Sequence, residues 1–362
     1  MRKVAVLGST GSIGKQALEV IRNSPSLSLY SIVCGSSTGV LEEQNERYGP
    51  FYAASCFSSD PEEVLLRAVE GADMVLNGIV GSAGLRASLL CQCLGKPLAL
   101  ANKESLVIGS QLMQPHLEAG MIIPVDSEHS TIFRCLMGET EPVRSMTLTA
   151  SGGSLRDLPL EDVYSASPQA VLDHPTWEMG GRITVDSATM VNKAFEVLEA
   201  RALFPGIPID VVIHRSSIVH SLVQCADGAW KALMGFPDMK VPIAWALHFP
   251  GLGSPGIADE SPLDWGNLSF QPLEGQRYPA FTEVLRAGDI GGTAPAAANA
   301  ADEVAVAAFL AGMIPFGEIS GIIGKVVDEH VVQPVDSLEK LYETDETART
   351  AARKAVELIC SR

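Results

Sequence analysis

A strand, a glycine-rich turn and a helix follow one another at the start of the chain, and this order constrains the fold most. Residues 3–7 (KVAVL) form an apolar β-type run, and residues 15–22 carry apolar side chains at helical spacing. Between them lies GSTGSIG, residues 8–14. Glycines in such a turn let the backbone approach a pyrophosphate, and the following helix N-terminus favours negative charge. We predict a dinucleotide site here; the alternative is a glycine-rich turn that binds no ligand.

The pattern of strands and helices predicts an α/β protein in several parts. Short apolar runs recur at residues 29–34, 74–77, 97–100 and 122–125, with helical patterns between them. Such alternation is typical of a Rossmann-like parallel sheet with ligands at the carboxyl ends of its strands. We expect a dinucleotide-binding domain over 1–125, a central α+β domain over 126–250, a Gly- and Pro-rich linker over 251–276 and a C-terminal helical bundle over 277–362.

The residues after the second predicted strand favour NADPH over NADH. Folds specific for NAD place an Asp or Glu there, where it holds the ribose 2′-hydroxyl. Here the chain reads Cys34-Gly35-Ser36-Ser37, which carries no carboxylate that would repel a 2′-phosphate.

Composition excludes several kinds of partner. The chain has 362 residues, a net charge of −17 and seven scattered cysteines. The acidic excess argues against nucleic acid, whose phosphates require clustered Lys and Arg. No run reaches the roughly 18–20 apolar residues of a membrane span, and the first residues show no signal-peptide pattern. We therefore expect a cytoplasmic protein with reduced thiols and neither a nucleic-acid nor a membrane partner.

Three carboxylates predict a site for a divalent cation. Asp126 and Glu128 follow an apolar run, and in an extended segment both would point to the same side. Asn192 and Glu196 are four residues apart and share a face of the helix expected over 188–203. Together the carboxylates would suit Mg²⁺ or Mn²⁺. The alternative is that each caps a helix or lies on the surface, and the sequence alone does not show that these segments meet.

Small polar residues in the middle of the chain suit a phosphate monoester. Residues 149–153 (TASGG), Ser187, Asn192 and Lys193 offer hydroxyls, an amide, turn N–H groups and one ammonium. The segment HPTWEMGG, residues 174–181, places an aromatic beside glycines and indicates a lid over substrate. The alternative for this segment is a structured loop with Trp177 in the core.

The chain resembles the 1-deoxy-D-xylulose 5-phosphate reductoisomerase family. The resemblance rests on these blocks, in the family's order: GSTGSIG, ANKESLV (101–107), PVDSEHS (124–130), TASGG, HPTW-x-MG, VDSATMVNKAFE (185–196), PDM (237–239) with PI (242–243), and NAADEVAV (299–306). It implies a cytoplasmic homodimer of three domains in non-mevalonate isoprenoid biosynthesis. The implied reaction isomerises 1-deoxy-D-xylulose 5-phosphate and reduces it with NADPH to 2-C-methyl-D-erythritol 4-phosphate.

The resemblance also implies roles for individual residues. The implied ligands of Mg²⁺ or Mn²⁺ are Asp126, Glu128 and Glu196, and Lys103 is implied as a further catalytic residue. The implied substrate contacts are Ser127, Ser151, His174, Trp177, Ser187, Asn192 and Lys193. The implied NADPH contacts are Gly8, Thr10, Gly11, Ser12, Ile13, Gly14, Gly35, Asn102, Glu104 and Gly180. The chain departs from the family's pattern at Gly181-Arg182, at His214-Arg215-Ser216-Ser217 and at Ser36-Ser37.

Two other functions fit parts of the pattern. One is another NAD(P)-dependent enzyme of similar layout, such as a semialdehyde or homoserine dehydrogenase. The semialdehyde type requires a catalytic cysteine, for which Cys135 is the nearest candidate, although its apolar surroundings indicate a core position. The other is a dinucleotide-sensing regulator, which would need no carboxylate site.

Overall fold

The structure is a computed structural model that describes residues 1–57, 60–175 and 180–361. Its strands are β1 Arg2–Leu7, β2 Leu27–Cys34, β3 Tyr52–Ser55, β4 Met74–Asn77, β5 Leu98–Leu100, β6 Ile122–Pro124, β7 Ser145–Ala150, β8 Ile209–Ile213, β9 Val219–Gln224, β10 Trp230–Met234 and β11 Gln271–Pro272. The first eight α-helices are α1 Ser12–Asn23, α2 Thr38–Tyr48, α3 Pro61–Val69, α4 Ala83–Cys93, α5 Glu104–Val107, α6 Gln114–Glu118, α7 Ser127–Leu136 and α8 Leu160–Val163. The others are α9 Pro168–Leu172, α10 Gly181–Ala188, α11 Val191–Leu203, α12 Lys240–His248, α13 Pro279–Ile290, α14 Ala294–Leu310, α15 Glu318–Glu329 and α16 Leu338–Cys360. A search of these helices finds none with the length and apolarity of a membrane span.

The first compact unit comprises Met1–Ser105, Leu112–Gly138 and Asp238–Asp264. Its six-stranded sheet has the order β3-β2-β1-β4-β5-β6, and every neighbouring pair of strands is parallel. The strand order reverses between β1 and β4, and ligands of such sheets bind outside the carboxyl ends of the strands at this switch point. The predicted N-terminal Rossmann-like sheet is thereby confirmed.

The core of this unit includes a helix from far along the chain. Residues 4–7 of β1 are fully buried, and Val4 and Val6 share one core cluster with the apolar face of α1. Helix α12 joins the same core through Trp245, whose ring contacts Phe133 and Phe249 edge-on at 5.5 and 5.3 Å. Arg2 donates from Nη1 to the carbonyls of Leu247 and Phe249 at 2.9 and 2.8 Å. These contacts fasten the end of α12 to the start of β1.

The second compact unit comprises Leu106–Gln111, Glu139–Pro237 and Trp265–Arg362. Its mixed five-stranded sheet has the order β10-β9-β7-β8-β11, in which only β7 and β8 pair in parallel. Four helices, α13 to α16, follow, and α14 contacts each of the other three. Alanines 297, 301 and 305 of α14 are fully buried, and such small side chains let helices approach closely. The mixed sheet and the C-terminal helices agree with the predicted fold class.

Local structure differs from the expectation at several places. The helix expected over 188–203 is α11, which begins three residues later, at Val191. Met190 adopts a positive φ of 62° there and separates α11 from α10, which ends at Ala188. Strands β3 and β10 were not predicted; both lie at sheet edges, where partial exposure weakens the apolar pattern. The extended segment expected around Asp126 is instead the start of helix α7.

Candidate active site: a dinucleotide turn and two polar clusters

Two positions in the turn after β1 can hold no residue other than glycine. Gly8 has a φ of +82°, and a Cβ atom there would lie 2.5 Å from the Gly78 carbonyl oxygen. A Cβ at Gly14 would lie 2.3 Å from the Gly8 carbonyl oxygen. Both contacts are with backbone, so no side-chain movement could relieve them. The sequence therefore folds into a tight turn with exposed backbone at the carboxyl end of β1.

Helix α1 begins in this turn without a side-chain cap. Its N-cap residue is Gly11, and Ser12 and Ile13 open the helix, with Thr10 before them. Uncapped N–H groups and the positive end of the helix dipole together make an anion site. Beyond β2, Gly35, Ser36 and Ser37 are exposed, so the segment expected to face a 2′-phosphate is accessible.

The loop after β5 is fastened to the loop after β4 by one buried amide. Asn102 is 2% exposed and donates from Nδ2 to the carbonyls of Ile79 and Gly81 at 2.8 and 2.9 Å. The same group donates to Glu104 at 2.7 Å, and Glu104 accepts from the Gly81 N–H at 3.1 Å. These bonds commit the Asn102 amide to the shape of the two loops, which border the dinucleotide turn at the carboxyl edge of the sheet.

A charged cluster lies where β5 and β6 end. Because β5 and β6 are parallel neighbours, the residues that follow them meet at one edge, and Lys103 donates from Nζ to Asp126 Oδ2 at 2.5 Å. The other oxygen of Asp126 lies 3.2 Å from Nδ1 of His129, which is fully buried. Asp126 and Glu128 each offer a carboxylate oxygen, and these atoms lie within 4.8 Å of each other.

Helix capping, rather than strand alternation, brings these two carboxylates together. Asp126 is the N-cap of α7 and accepts from the Glu128 N–H at 3.1 Å. Ser127 is buried and donates from Oγ to Glu128 Oε2 at 2.5 Å. The prediction of an extended segment at residues 126–128 was wrong. Asp126 and Glu128 lie close together because Asp126 caps the helix that carries Glu128. Two hard oxygen donors so close fit Mg²⁺ or Mn²⁺ better than a thiol- or imidazole-preferring metal.

A second polar cluster forms where β7 ends. Ser151 follows β7, and His174 Nε2 lies 3.1 Å from Ser151 Oγ and 3.2 Å from Ser187 Oγ near the end of α10. Gly152 and Gly153 have φ values of +85° and +71°, and the Gly153 N–H donates to Ser151 Oγ at 3.2 Å. Burial lowers the pKa of His174, and the nearby charge of Arg156 lowers it further. We call residues 151–153, His174 and Ser187 the phosphate cradle, since hydroxyls and turn N–H groups suit a phosphate.

Helix α11 carries a buried carboxylate with two polar neighbours. Glu196 is 2% exposed and accepts from Asn192 Nδ2 at 2.6 Å, one turn away, as their spacing predicts. Lys193 is also buried and donates from Nζ to the other oxygen of Glu196. A charge this deeply buried requires such compensation, and the same carboxylate could serve a cation.

The remaining predicted residues fall into three situations. Trp177 lies outside the described residues. Gly180 is exposed and is the N-cap of α10. Cys135 is 6% exposed on α7, which is a core position rather than that of a nucleophile in a cleft.

Sequence reasoning missed three residues that shape these clusters. His129 lies three residues after Asp126, a helical spacing that would have connected the two had α7 been expected. Arg156 donates from Nη1 to the Ser151 carbonyl at 2.7 Å, and Tyr278 donates from its hydroxyl to the Gly152 carbonyl at 3.0 Å. A lone arginine and a distant tyrosine that bind backbone carbonyls leave no pattern in a sequence.

The Rossmann-like sheet, the uncapped glycine turn and the carboxylate pair are those of a dinucleotide-dependent oxidoreductase, with oxygen donors that suit a divalent cation. Family models agree: the 1-deoxy-D-xylulose 5-phosphate reductoisomerase model matches residues 4–68 and 57–110, and its C-terminal domain model matches 122–204. The DXP reductoisomerase C-terminal domain model matches residues 234–351. The chain belongs to the 1-deoxy-D-xylulose 5-phosphate (DXP) reductoisomerase family and is an NADPH-dependent enzyme of that family.

Individual relatives cover the whole chain. The DXP reductoisomerase of Thermodesulfovibrio yellowstonii is 43% identical over 98% of this chain and 100% of its own length. That of Leifsonia xyli is 43% identical over 97% of this chain and 98% of its own. A solved DOX-P reductoisomerase in complex with NADPH, fosmidomycin and magnesium superposes with a TM-score of 0.92, at 32% identity and 99% coverage of both chains. The Zymomonas mobilis enzyme in complex with NADPH gives 0.88, at 33% identity and 98% and 99% coverage.

Proposed function

We propose that this chain isomerises DXP and reduces the product with NADPH to 2-C-methyl-D-erythritol 4-phosphate, a step of isoprenoid precursor biosynthesis. The observation that carries the proposal is the pair of carboxylates, Asp126 and Glu128, at the carboxyl edge of a Rossmann-like sheet. A cation site at that edge lies where a dinucleotide and a small substrate meet in such folds.

We propose Asp126, Glu128 and Glu196 as the ligands of a Mg²⁺ or Mn²⁺ ion. All three offer carboxylate oxygens, and each already has neighbours that fix its orientation. These are His129 and Lys103 for Asp126, the Ser127 hydroxyl for Glu128, and Asn192 and Lys193 for Glu196. When bound, the ion polarises substrate oxygens and stabilises the negative charge that develops on them. The magnesium in the complex of a solved relative supports the choice of a divalent cation.

Lys103 is proposed to lie near the reacting hydroxyls. Its side chain is 19% exposed, and its ammonium donates a hydrogen bond to Asp126 that orients it. An ammonium in this position can stabilise a developing alkoxide by donating a hydrogen bond to it. Ser127, 9% exposed in the same cluster, would contact these hydroxyls as well.

The phosphate cradle, with Asn192 and Lys193, is proposed to hold the substrate phosphate. A His174 whose pKa is lowered stays neutral at pH 7, so one ring nitrogen can accept a hydrogen bond from a serine hydroxyl. Binding the phosphate away from the reacting carbons orients them and contributes energy that lowers the barrier. Trp177 would cover the substrate.

NADPH is proposed to bind across the carboxyl edge of the six-stranded sheet. The turn from Gly8 to Gly14 would hold its pyrophosphate, with Thr10, Gly11, Ser12 and Ile13 at the helix N-terminus. Gly35 and its exposed serines would face the 2′-phosphate, and Asn102, Glu104 and Gly180 would border the nicotinamide half. The NADPH complex of the Zymomonas mobilis relative supports NADPH as the cofactor.

Three further expectations accompany this function as proposals. The chain would act as a homodimer in the cytoplasm, where its seven cysteines, all free in the structure, would stay reduced. The division at residues 125, 250 and 276 into dinucleotide-binding, catalytic and C-terminal domains also stays a prediction.

Product identification tests this function. The protein incubated with DXP, NADPH and Mg²⁺ should oxidise one NADPH for each 2-C-methyl-D-erythritol 4-phosphate formed, measured by absorbance and by NMR of the product. Aspartate semialdehyde and homoserine serve as controls for the dehydrogenases of similar layout. NADPH oxidation or NADP reduction with either control, and none with DXP, would overturn the proposal.

A further inference from the structure

One arginine, Arg156, donates hydrogen bonds to the backbone of the phosphate cradle and to the backbone of a neighbouring loop. Arg156 has a side chain that is 15% exposed and donates from Nη1 to the Ser151 carbonyl at 2.7 Å. The same nitrogen donates to the Arg215 carbonyl at 3.2 Å, in the loop after the neighbouring parallel strand β8. One guanidinium thereby joins the segments that follow β7 and β8.

Arg156 also places a positive charge beside the phosphate cradle. The ammonium of Lys193 is paired with the buried carboxylate of Glu196, so within this unit its charge is already offset. His174 is held neutral, partly by the charge of Arg156 itself. A phosphate monoester carries close to two negative charges, and the guanidinium of Arg156 adds a further positive charge beside the cradle.

Other charges near Arg156 largely cancel one another. Asp157 accepts from Arg215 at 2.6 Å and lies 3.5 Å from Nε of Arg156. Arg277 lies 4.0 Å from Glu274 and donates to the carbonyls of residues 155 and 158. The group therefore holds three guanidiniums and two carboxylates, and Arg156 is the guanidinium that contacts the cradle.

We propose that Arg156 is a positioning residue of the phosphate cradle, which fixes Ser151 through its carbonyl and offsets the charge of the bound phosphate from behind the turn. The inference rests on the proposed role of the cradle in binding substrate. Arg156 acts through its hydrogen bond to Ser151 and through its positive charge. The two effects can be separated because lysine keeps the charge but lacks the rigid, planar guanidinium that places Nη1 between the two carbonyls.

Two substitutions test the proposal. Arg156→Met should raise the KM for DXP about tenfold, since a charge-assisted hydrogen bond and a cation are both lost. The kcat should change less than about threefold and the KM for NADPH should stay constant, because the reacting groups are untouched. Arg156→Lys should raise the KM for DXP by a smaller factor. Arg201→Met, which removes an exposed arginine paired with Asp289 in the same unit, should change none of these constants.

A histidine titration tests the electrostatic part without any substrate. Followed by NMR, the pKa of His174 should rise in Arg156→Met and stay near the wild-type value in Arg156→Lys. A folded Arg156→Met protein whose KM for DXP and His174 titration both match the wild type would overturn the proposal. If Arg156→Met fails to fold, an unchanged KM for DXP in Arg156→Lys would overturn it instead. Failure of the proposed function would show differently, as a wild-type protein that does not turn over DXP.

Discussion

The second glycine of the cradle gives the most sharply defined prediction. Gly153 has a φ of +71°, and a Cβ there would lie 2.6 Å from the Ser187 carbonyl oxygen and 2.7 Å from the Ala188 Cα. Both atoms belong to the backbone of α10, which also carries the Ser187 hydroxyl of the cradle. Gly153→Ala therefore forces the turn and α10 apart, rather than moving a flexible side chain.

The size of the effect follows from two separate costs. A left-handed φ costs an alanine about 1–2 kcal/mol. Relieving a 2.6 Å approach to the 3.4 Å of ordinary contact requires a displacement of about 0.8 Å. Misplacement of binding groups by about 1 Å can cost around a hundredfold in rate, so we expect kcat/KM for DXP to fall between about tenfold and a hundredfold.

Gly206→Ala is the matched control. Gly206 lies in the same unit with a φ of +80°, and a Cβ there has nothing within 4 Å. Urea unfolding should show a loss of about 1–2 kcal/mol for Gly206→Ala and a larger loss for Gly153→Ala. Only Gly153→Ala should lower kcat/KM for DXP in a steady-state assay. Equal kcat/KM values in the two variants would refute the reasoning.

Two further predictions concern a buried acid and the cofactor. Burial raises the pKa of Asp302 from its usual 3.8 to about 6; the folded chain thus holds this proton more tightly and loses up to about 3 kcal/mol of stability as pH rises from 4 to above 6. Asp302→Asn should remove that loss. If the unfolding free energies of the wild type and of Asp302→Asn change in the same way between pH 4 and above 6, the prediction is contradicted. Ser36→Asp should weaken NADPH binding at least tenfold more than NADH binding in fluorescence titrations, by repelling the 2′-phosphate; equal effects would place the 2′-phosphate elsewhere.

The dinucleotide half of the site could be read from the sequence because its rules are local. Gly8 and Gly14 are required by backbone contacts within one turn, and the strand and helix around them follow from periodicity alone. The exposed serines after β2 likewise follow directly from the position of that strand.

The other half depended on contacts that the sequence does not display. An Asp-x-Glu pattern after an apolar run is compatible with a strand or with a helix cap, and only the neighbouring structure selects the cap at Asp126. The break at Met190 depends on a positive φ that tertiary packing imposes on a residue with no intrinsic preference for it. Arg156 acts on backbone carbonyls, which every residue type possesses, so no motif marks it.

A metal titration tests the central claim most directly. The protein is freed of divalent ions with a chelator, and DXP-dependent NADPH oxidation is followed as Mg²⁺ is added. The wild type and Glu199→Gln, which changes another buried glutamate of α11, should regain activity at similar Mg²⁺ concentrations. Glu196→Gln should need at least tenfold more Mg²⁺ or remain inactive. Full activity in the chelator, or matching Mg²⁺ requirements for Glu196→Gln and the wild type, would contradict the account.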